Sequence, residues 1–226
     1  MWLGNGGKSE RNGFITFCAL SEAKGMCIKM KEQSLKRAME SLKIESKAIA
    51  SVAEYLDIEA FERAVDVLIS CKKVITCGSG NSGIAAKKFA HCLCCVERDA
   101  FFMPPAEAIH GGLGGLKKED AMVIVSRGGK TYELLPIIDV CNKKGATLIA
   151  ITENMDSPLA KNADIVVPLK IKKESDKYNV MATASFVATI GIFDAMLVAI
   201  MEETDYKLEQ FSLIHPGGAV GALLNK

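Results

Sequence analysis

The spacing of apolar positions changes along the chain, and each change marks an element. From Lys31 onward Leu35, Met39, Leu42, Ile49, Val52 and Leu56 recur at helical spacing and predict a long amphipathic helix; a second follows over 58–70. Five short, almost wholly apolar runs come next, at 74–77, 100–103, 121–125, 147–151 and 164–169, and they read as β-strands. Helical patterns at 82–96, 104–112, 131–144 and 156–162 lie between them. Strands apolar at every position need cover on both faces, because successive side chains point to opposite sides. The expectation is an α/β, three-layer, doubly wound fold around a five-stranded parallel sheet. No Pro- or Ser-rich linker, repeat or low-complexity stretch interrupts it, so residues 30–226 are expected to form a single domain.

Two segments need separate treatment. Residues 181–201 are apolar and long enough to span a bilayer. Asp194 would cost about 2.5–3.5 kcal/mol near a membrane centre. Thr183, Ser185 and Thr189 dilute the run further, which predicts a helix buried in a core or a subunit contact rather than a membrane span. Residues 1–28 have no clean apolar stretch or small-residue cleavage site, so they do not read as a signal peptide. Met30 is a second candidate start, and 1–28 are expected to be an extension outside the fold.

Charge then narrows the classes. Of 226 residues, 28 are Lys or Arg and 27 Asp or Glu, a net charge of +1 that leaves no basic footprint for nucleic acid. The eight cysteines, several within apolar runs and without a secretory signal, read as core residues of a reduced cytoplasmic chain rather than a disulfide framework. Cys92 and Cys95 have C-x-x-C spacing but fall inside a helix pattern, and His91 beside them reads as structural, so neither metal nor redox chemistry is expected.

The candidate chemistry lies where doubly wound sheets hold ligands, at the carboxyl ends of strands. The first strand runs into Gly78-Ser79-Gly80-Asn81-Ser82-Gly83, formally the dinucleotide spacing G-x-G-x-x-G. The acidic residue that would hold a ribose is missing, since Phe101-Phe102-Met103-Pro104 ends the next strand. What remains is a turn rich in Gly and Ser that opens a helix and can offer N–H and hydroxyl donors to a phosphate; a tight turn needing only glycine is the plainer reading. A second loop of similar design, Ser126-Arg127-Gly128-Gly129-Lys130-Thr131, follows the third strand. Two such loops suggest one phosphate gripped from two sides. Arg127 and Lys130 read either as part of that grip or as solvated surface charges.

These two loops resemble the sugar isomerase (SIS) domain family, as do Pro105-Ala106-Glu107-Ala108-Ile109-His110-Gly111 and Ser212-Leu213-Ile214-His215-Pro216-Gly217-Gly218-Ala219. The His-Gly and His-Pro-Gly-Gly-Ala segments are most similar to its arabinose-5-phosphate isomerase branch. The resemblance, from about Met30 to Leu224, implies a flavodoxin-like sheet and a homotetramer with sites shared between subunits. It implies interconversion of ribulose 5-phosphate and arabinose 5-phosphate without a cofactor, a step toward the eight-carbon acid of surface polysaccharides. His215, Glu174, His110 and Glu133 match the family's catalytic positions; Gly78, Ser79, Gly80, Asn81, Ser82, Ser126, Arg127, Gly128, Lys130 and Thr131 match its substrate loops. The chain departs from the pattern at Asn81, where lysine is usual, at Gly112, where aspartate follows His-Gly, and at Gly128, where serine is usual. The pair of regulatory CBS modules common in the family is not expected before the last residue, Lys226.

Aldose–ketose exchange needs a base, an acid that moves a proton between two oxygens, and a phosphate grip. His215 and Glu174 are the expected proton carriers, with His110 and Glu133 orienting the sugar or opening its ring. Either of the two could serve as base with the other as acid. A non-catalytic phosphosugar-binding module, or an isomerase of another ketose phosphate, is the alternative.

Overall fold

A computed structural model describes residues 30–224. The expected extension over 1–28, with Cys18 and Cys27, lies outside the described residues. Helices α1 (Glu32–Tyr55) and α2 (Ile58–Ser70) lead into β1 (Val74–Gly78), α3 (Gly80–Cys95), β2 (Ala100–Phe102) and α4 (Pro105–Ile109). A 3₁₀ turn at Gly112–Gly115 precedes β3 (Ala121–Val125), and another at Tyr132–Leu134 runs into α5 (Leu135–Lys144). Then follow β4 (Thr147–Thr152), α6 (Pro158–Asn162), β5 (Ile165–Pro168), α7 (Ala184–Glu203), α8 (Leu208–Ile214) and α9 (Gly218–Leu224).

All five strands pair parallel in the order β2-β1-β3-β4-β5. The order reverses between β1 and β3, so the crevice of this sheet opens at the loops that follow those two strands. Alternation along each strand sorts the core into two layers. Val74, Val123, Val125, Ile149, Ile151, Ile165 and Val167 face α2, α3 and α7, where Leu68, Phe89 and Ile192 meet them. Ile75, Cys77, Met122, Ile124, Leu148 and Ala150 face the other way, against Ile137 and Cys141 of α5 and Leu159 of α6.

Local chemistry sets the helix ends. Asp57 caps α2 by accepting from Ala60 N–H at 3.0 Å. The helix expected over 104–112 stops at Ile109, because Gly111 turns left-handed at φ 112°. The one expected over 131–144 becomes α-helical only at Leu135, with Pro136 in its first turn. The apolar 181–201 pattern forms α7 from Ala184, with nine of its 20 residues buried. Its length and hydropathy would suit a membrane, yet it packs against α1, α2 and α3. Phe193 stacks on Phe89 at 4.0 Å between centroids, and Asp194 is exposed in an ion pair with Lys88 of α3.

The cysteines need a correction. Cys77 and Cys141 are core residues whose thiols burial pushes up to about 12. Cys94 is exposed, because it sits on the outward side of the last turn of α3, and Cys71, Cys92 and Cys95 are only half-buried. All six are free thiols.

Candidate active site

The first loop starts where β1 meets α3. A Cβ on Gly83 would lie 2.4 Å from the carbonyl oxygen of Gly78, so glycine lets the helix begin directly on the strand end. The first-turn N–H groups of Gly80, Asn81 and Ser82 have no intrahelical partner and stand at the positive end of a 16-residue helix. Ser79 precedes them, and its hydroxyl donates to Glu133 Oε2 at 2.6 Å rather than capping the helix. This bond ties the β1 loop to the segment after β3 across the reversal point.

The second loop folds around a buried hydroxyl. Ser126 Oγ accepts from Gly129 N–H at 3.1 Å and shares a proton with Thr131 Oγ1 at 3.1 Å. Gly129 has φ 63°, and a Cβ there would lie 2.0 Å from Ser157 Oγ, so no other residue fits. Gly128 borders open space and Lys130 is exposed without an ion pair among the described residues. The backbone N–H groups of Gly128, Lys130 and Thr131 donate to no protein atom among the described residues. Free amides, two hydroxyls and one cation make a nest suited to a phosphate.

A third segment, after β5, brings Glu174 to the start of α7. Its side chain is fully buried. Oε1 accepts from Arg127 Nη1 at 2.7 Å and from Ser185 Oγ. Oε2 accepts from the N–H groups of Thr183 and Ser185, at 2.9 and 3.1 Å, and from Thr183 Oγ1 at 3.1 Å. Burial pushes this carboxyl up, but the bonds from Ser185 and Thr183 outweigh it, and the net position is below the usual glutamate value. Glu174 is therefore an anion sealing the N-terminus of α7. Arg127 is held on a second side by Glu153, whose Oε2 lies 2.5 Å from Nε.

Two spaces open beside these loops. A cleft of about 360 Å³ lies between the β1 loop and α4, lined by Ser79, Gly80, Lys87, Phe102, Pro104 and Glu133. Phe102 stands where a ribose-binding carboxylate would be needed, consistent with the rejection of a dinucleotide. A small chamber of about 20 Å³ lies on the other side, among Asn81, Ser82, Arg127, Ser185 and Thr189. The larger open groove of about 610 Å³ is at the opposite, amino ends of β4 and β5, near Arg63, Asn142 and Asp164; no phosphate-type loop reaches it.

The structure therefore gathers most of the sequence-derived residues but not all. Gly78, Ser79, Gly80, Asn81, Ser82, Ser126, Arg127, Gly128, Lys130, Thr131, Glu133 and Glu174 meet at one end of the sheet. His110 caps the far end of α4, exposed and outside the lining of the cleft. His215 follows α8 and lines neither space beside the loops. Tyr206 Oη donates to the Cys95 carbonyl and Gln210 Nε2 to Glu97 Oε2, so α8 starts at the far end of α3, about 24 Å from the phosphate loop at 1.5 Å per residue. His215 ends that short helix with its ring on Phe211 at 3.8 Å and Nδ1 2.9 Å from the Phe211 carbonyl oxygen. His91 is exposed, 3.8 Å from Cys95 Sγ.

Three functional neighbours escape the sequence reading. Thr183 and Ser185 hold Glu174, and hydroxyls around a helix start are a usable signal. Glu153 holds Arg127; its place just past the carboxyl end of β4 is the only clue.

Known proteins resemble this chain in sequence and fold. The chain is 34% identical over 186 residues to the arabinose 5-phosphate isomerase KpsF of Escherichia coli, covering 82% of this chain and 57% of that protein. It is 35% identical over 196 residues to the arabinose 5-phosphate isomerase GutQ of Salmonella typhimurium, covering 86% and 61%. The chain thus spans less than two thirds of the length of these relatives. Among solved structures, a candidate sugar-phosphate isomerase of Listeria monocytogenes superposes with a TM-score of 0.81 at 44% identity, over 84% of this chain and all of that one. An Escherichia coli CFT073 protein in complex with arabinose 5-phosphate superposes with a TM-score of 0.77 at 31% identity, over 83% of this chain and all of that one. The SIS domain family matches residues 67–199, from within α2 to within α7, the segment that builds the sheet and both phosphate-type loops: the chain belongs to the SIS domain family.

Proposed function

We propose that the protein is a sugar-phosphate aldose–ketose isomerase interconverting D-ribulose 5-phosphate and D-arabinose 5-phosphate. The observation that carries this reading is the pair of hydroxyl-rich loops at adjacent strand ends, joined by the Ser79–Glu133 hydrogen bond and faced by Glu174. Relatives named arabinose 5-phosphate isomerase and a similar structure holding arabinose 5-phosphate support it. A base takes a proton from C1 of the ketose, leaving an enediol; a proton returns to C2, and another passes from O1 to O2 to give the aldehyde. The loop 126–131 and the first-turn amides of α3 take the phosphate. Glu133 stands beside the cleft to orient the sugar hydroxyls. Glu174 is anionic at neutral pH, so it can accept a proton but has none to give, and the acid step falls to histidine. Incubation with ribulose 5-phosphate in deuterated water tests the reading.

His215 reaches this site from a second copy. Its own loops lie at the other end of α3, while Leu208 and Leu213 of its arm are exposed. A homo-oligomer with shared sites, such as a tetramer, follows from this reading. One observation favours a second reading, that of a non-catalytic phosphosugar-binding module: both oxygens of Glu174 are committed to partners within the chain. Binding without exchange or turnover would select it.

A further inference from the structure

We infer that Glu153 is a positioning residue that, together with Glu174, turns Arg127 into a hydrogen-bonding fork for the uncharged oxygens of the sugar, leaving the phosphate to the amides, hydroxyls and Lys130 in the rest of the 126–131 loop. The inference rests on the sugar-phosphate reading above and assigns an orientation to the ligand within it.

Charge is the first argument. Arg127 carries one positive charge between two carboxylates, Glu153 Oε2 at 2.5 Å from Nε and Glu174 Oε1 at 2.7 Å from Nη1. The trio has a net charge of −1, which repels a phosphate dianion rather than gripping it. Lys130, exposed and without an ion pair among the described residues, supplies the uncompensated cation beside the nest.

Donor geometry is the second. A guanidinium has five N–H donors, and the two bonds above leave three unused. Nη2 has no partner among the described residues. The space Arg127 borders, about 20 Å³, is shared with Asn81, Ser82 and Ser185, whose hydroxyl is given to Glu174; it has room for a single ligand oxygen among neutral groups.

Fixation is the third. Glu153 N–H donates to the Arg127 carbonyl at 3.0 Å, and Thr152 Oγ1 donates to the same oxygen at 3.1 Å. Backbone and side chain of Arg127 are therefore held by the same short segment. The side chain is still 39% exposed, with three of its donors unspent.

The test measures binding of arabinose 5-phosphate and of inorganic phosphate by titration calorimetry on the full chain, with melting temperature as a check of folding. Glu153→Gln removes the like charge and loosens the fork. Inorganic phosphate should bind about fivefold tighter and arabinose 5-phosphate about fivefold weaker. Glu153→Asp keeps the charge but withdraws it from Nε, so the sugar phosphate should weaken with no gain for inorganic phosphate. In an Arg127→Gln background, Glu153→Gln should cost arabinose 5-phosphate nothing further. Parallel weakening of both ligands, or additive losses for the sugar phosphate, would overturn the positioning role while the sugar-phosphate reading stands. A wild-type chain that binds no sugar phosphate would overturn both.

Discussion

Glu174 is held by five hydrogen bonds from three residues, and each has a reason in the sequence. Thr183 and Ser185 flank the first residue of α7, where N–H groups lack intrahelical partners, and Arg127 reaches over from the β3 loop. The carboxylate therefore stabilises the fold in its charged form. Its folded pKa lies below the usual value of 4.5, so its contribution is full above about pH 4.5 and is lost as pH falls through the lower, folded value. The melting temperature should drop as the protein is taken from pH 5 toward pH 3, and Glu174→Gln should flatten that drop while lowering stability at pH 7. An unchanged acid limb would contradict the network. At this scale Glu174 was legible only through resemblance, since a carboxylate between Lys173 and Ser175 looks like surface. Its burial depends on the distant Arg127 and Ser185, which no local pattern connects.

Elements were far more legible than sites. All five strands fall within a residue or two of the apolar runs; burial on both faces leaves polar residues little room along β1, β3, β4 and β5, while β2 at the sheet edge is only half-buried, with Phe101 exposed. Helix limits moved where one residue overrides the pattern: Gly111 stops α4, Pro136 delays α5, and Glu174 fixes where α7 can begin. The join between α3 and α7 should dominate stability on that layer. Phe193 is fully buried and stacked on Phe89. Phe193→Ala should therefore cost about 3–5 kcal/mol in denaturant unfolding. A loss below about 1 kcal/mol would mean that α7 is not packed as described.

At the scale of the whole molecule, one chain presents the phosphate-type loops at one end of α3 and starts the His215 arm from the other. Sequence position could not reveal this separation, because the direction of α7 and the anchors at Cys95 and Glu97 decide where α8 begins. If sites are completed between copies, chains carrying His215→Ala and chains carrying Glu133→Gln should each be inactive alone. Refolded together in equal amounts, they should regain about a quarter of wild-type activity, since that fraction of sites draws its loops and its histidine from intact sources. No recovery would place His215 with its own loops or outside the reaction.

Enediol chemistry on a five-carbon sugar phosphate leaves an isotopic record. Ribulose 5-phosphate incubated with the protein in deuterated water, followed by NMR, should yield arabinose 5-phosphate carrying deuterium at carbon 2, with the exchange abolished in His215→Ala. Binding of ribulose 5-phosphate without deuterium incorporation or product would contradict the account and leave a phosphosugar-binding module in its place.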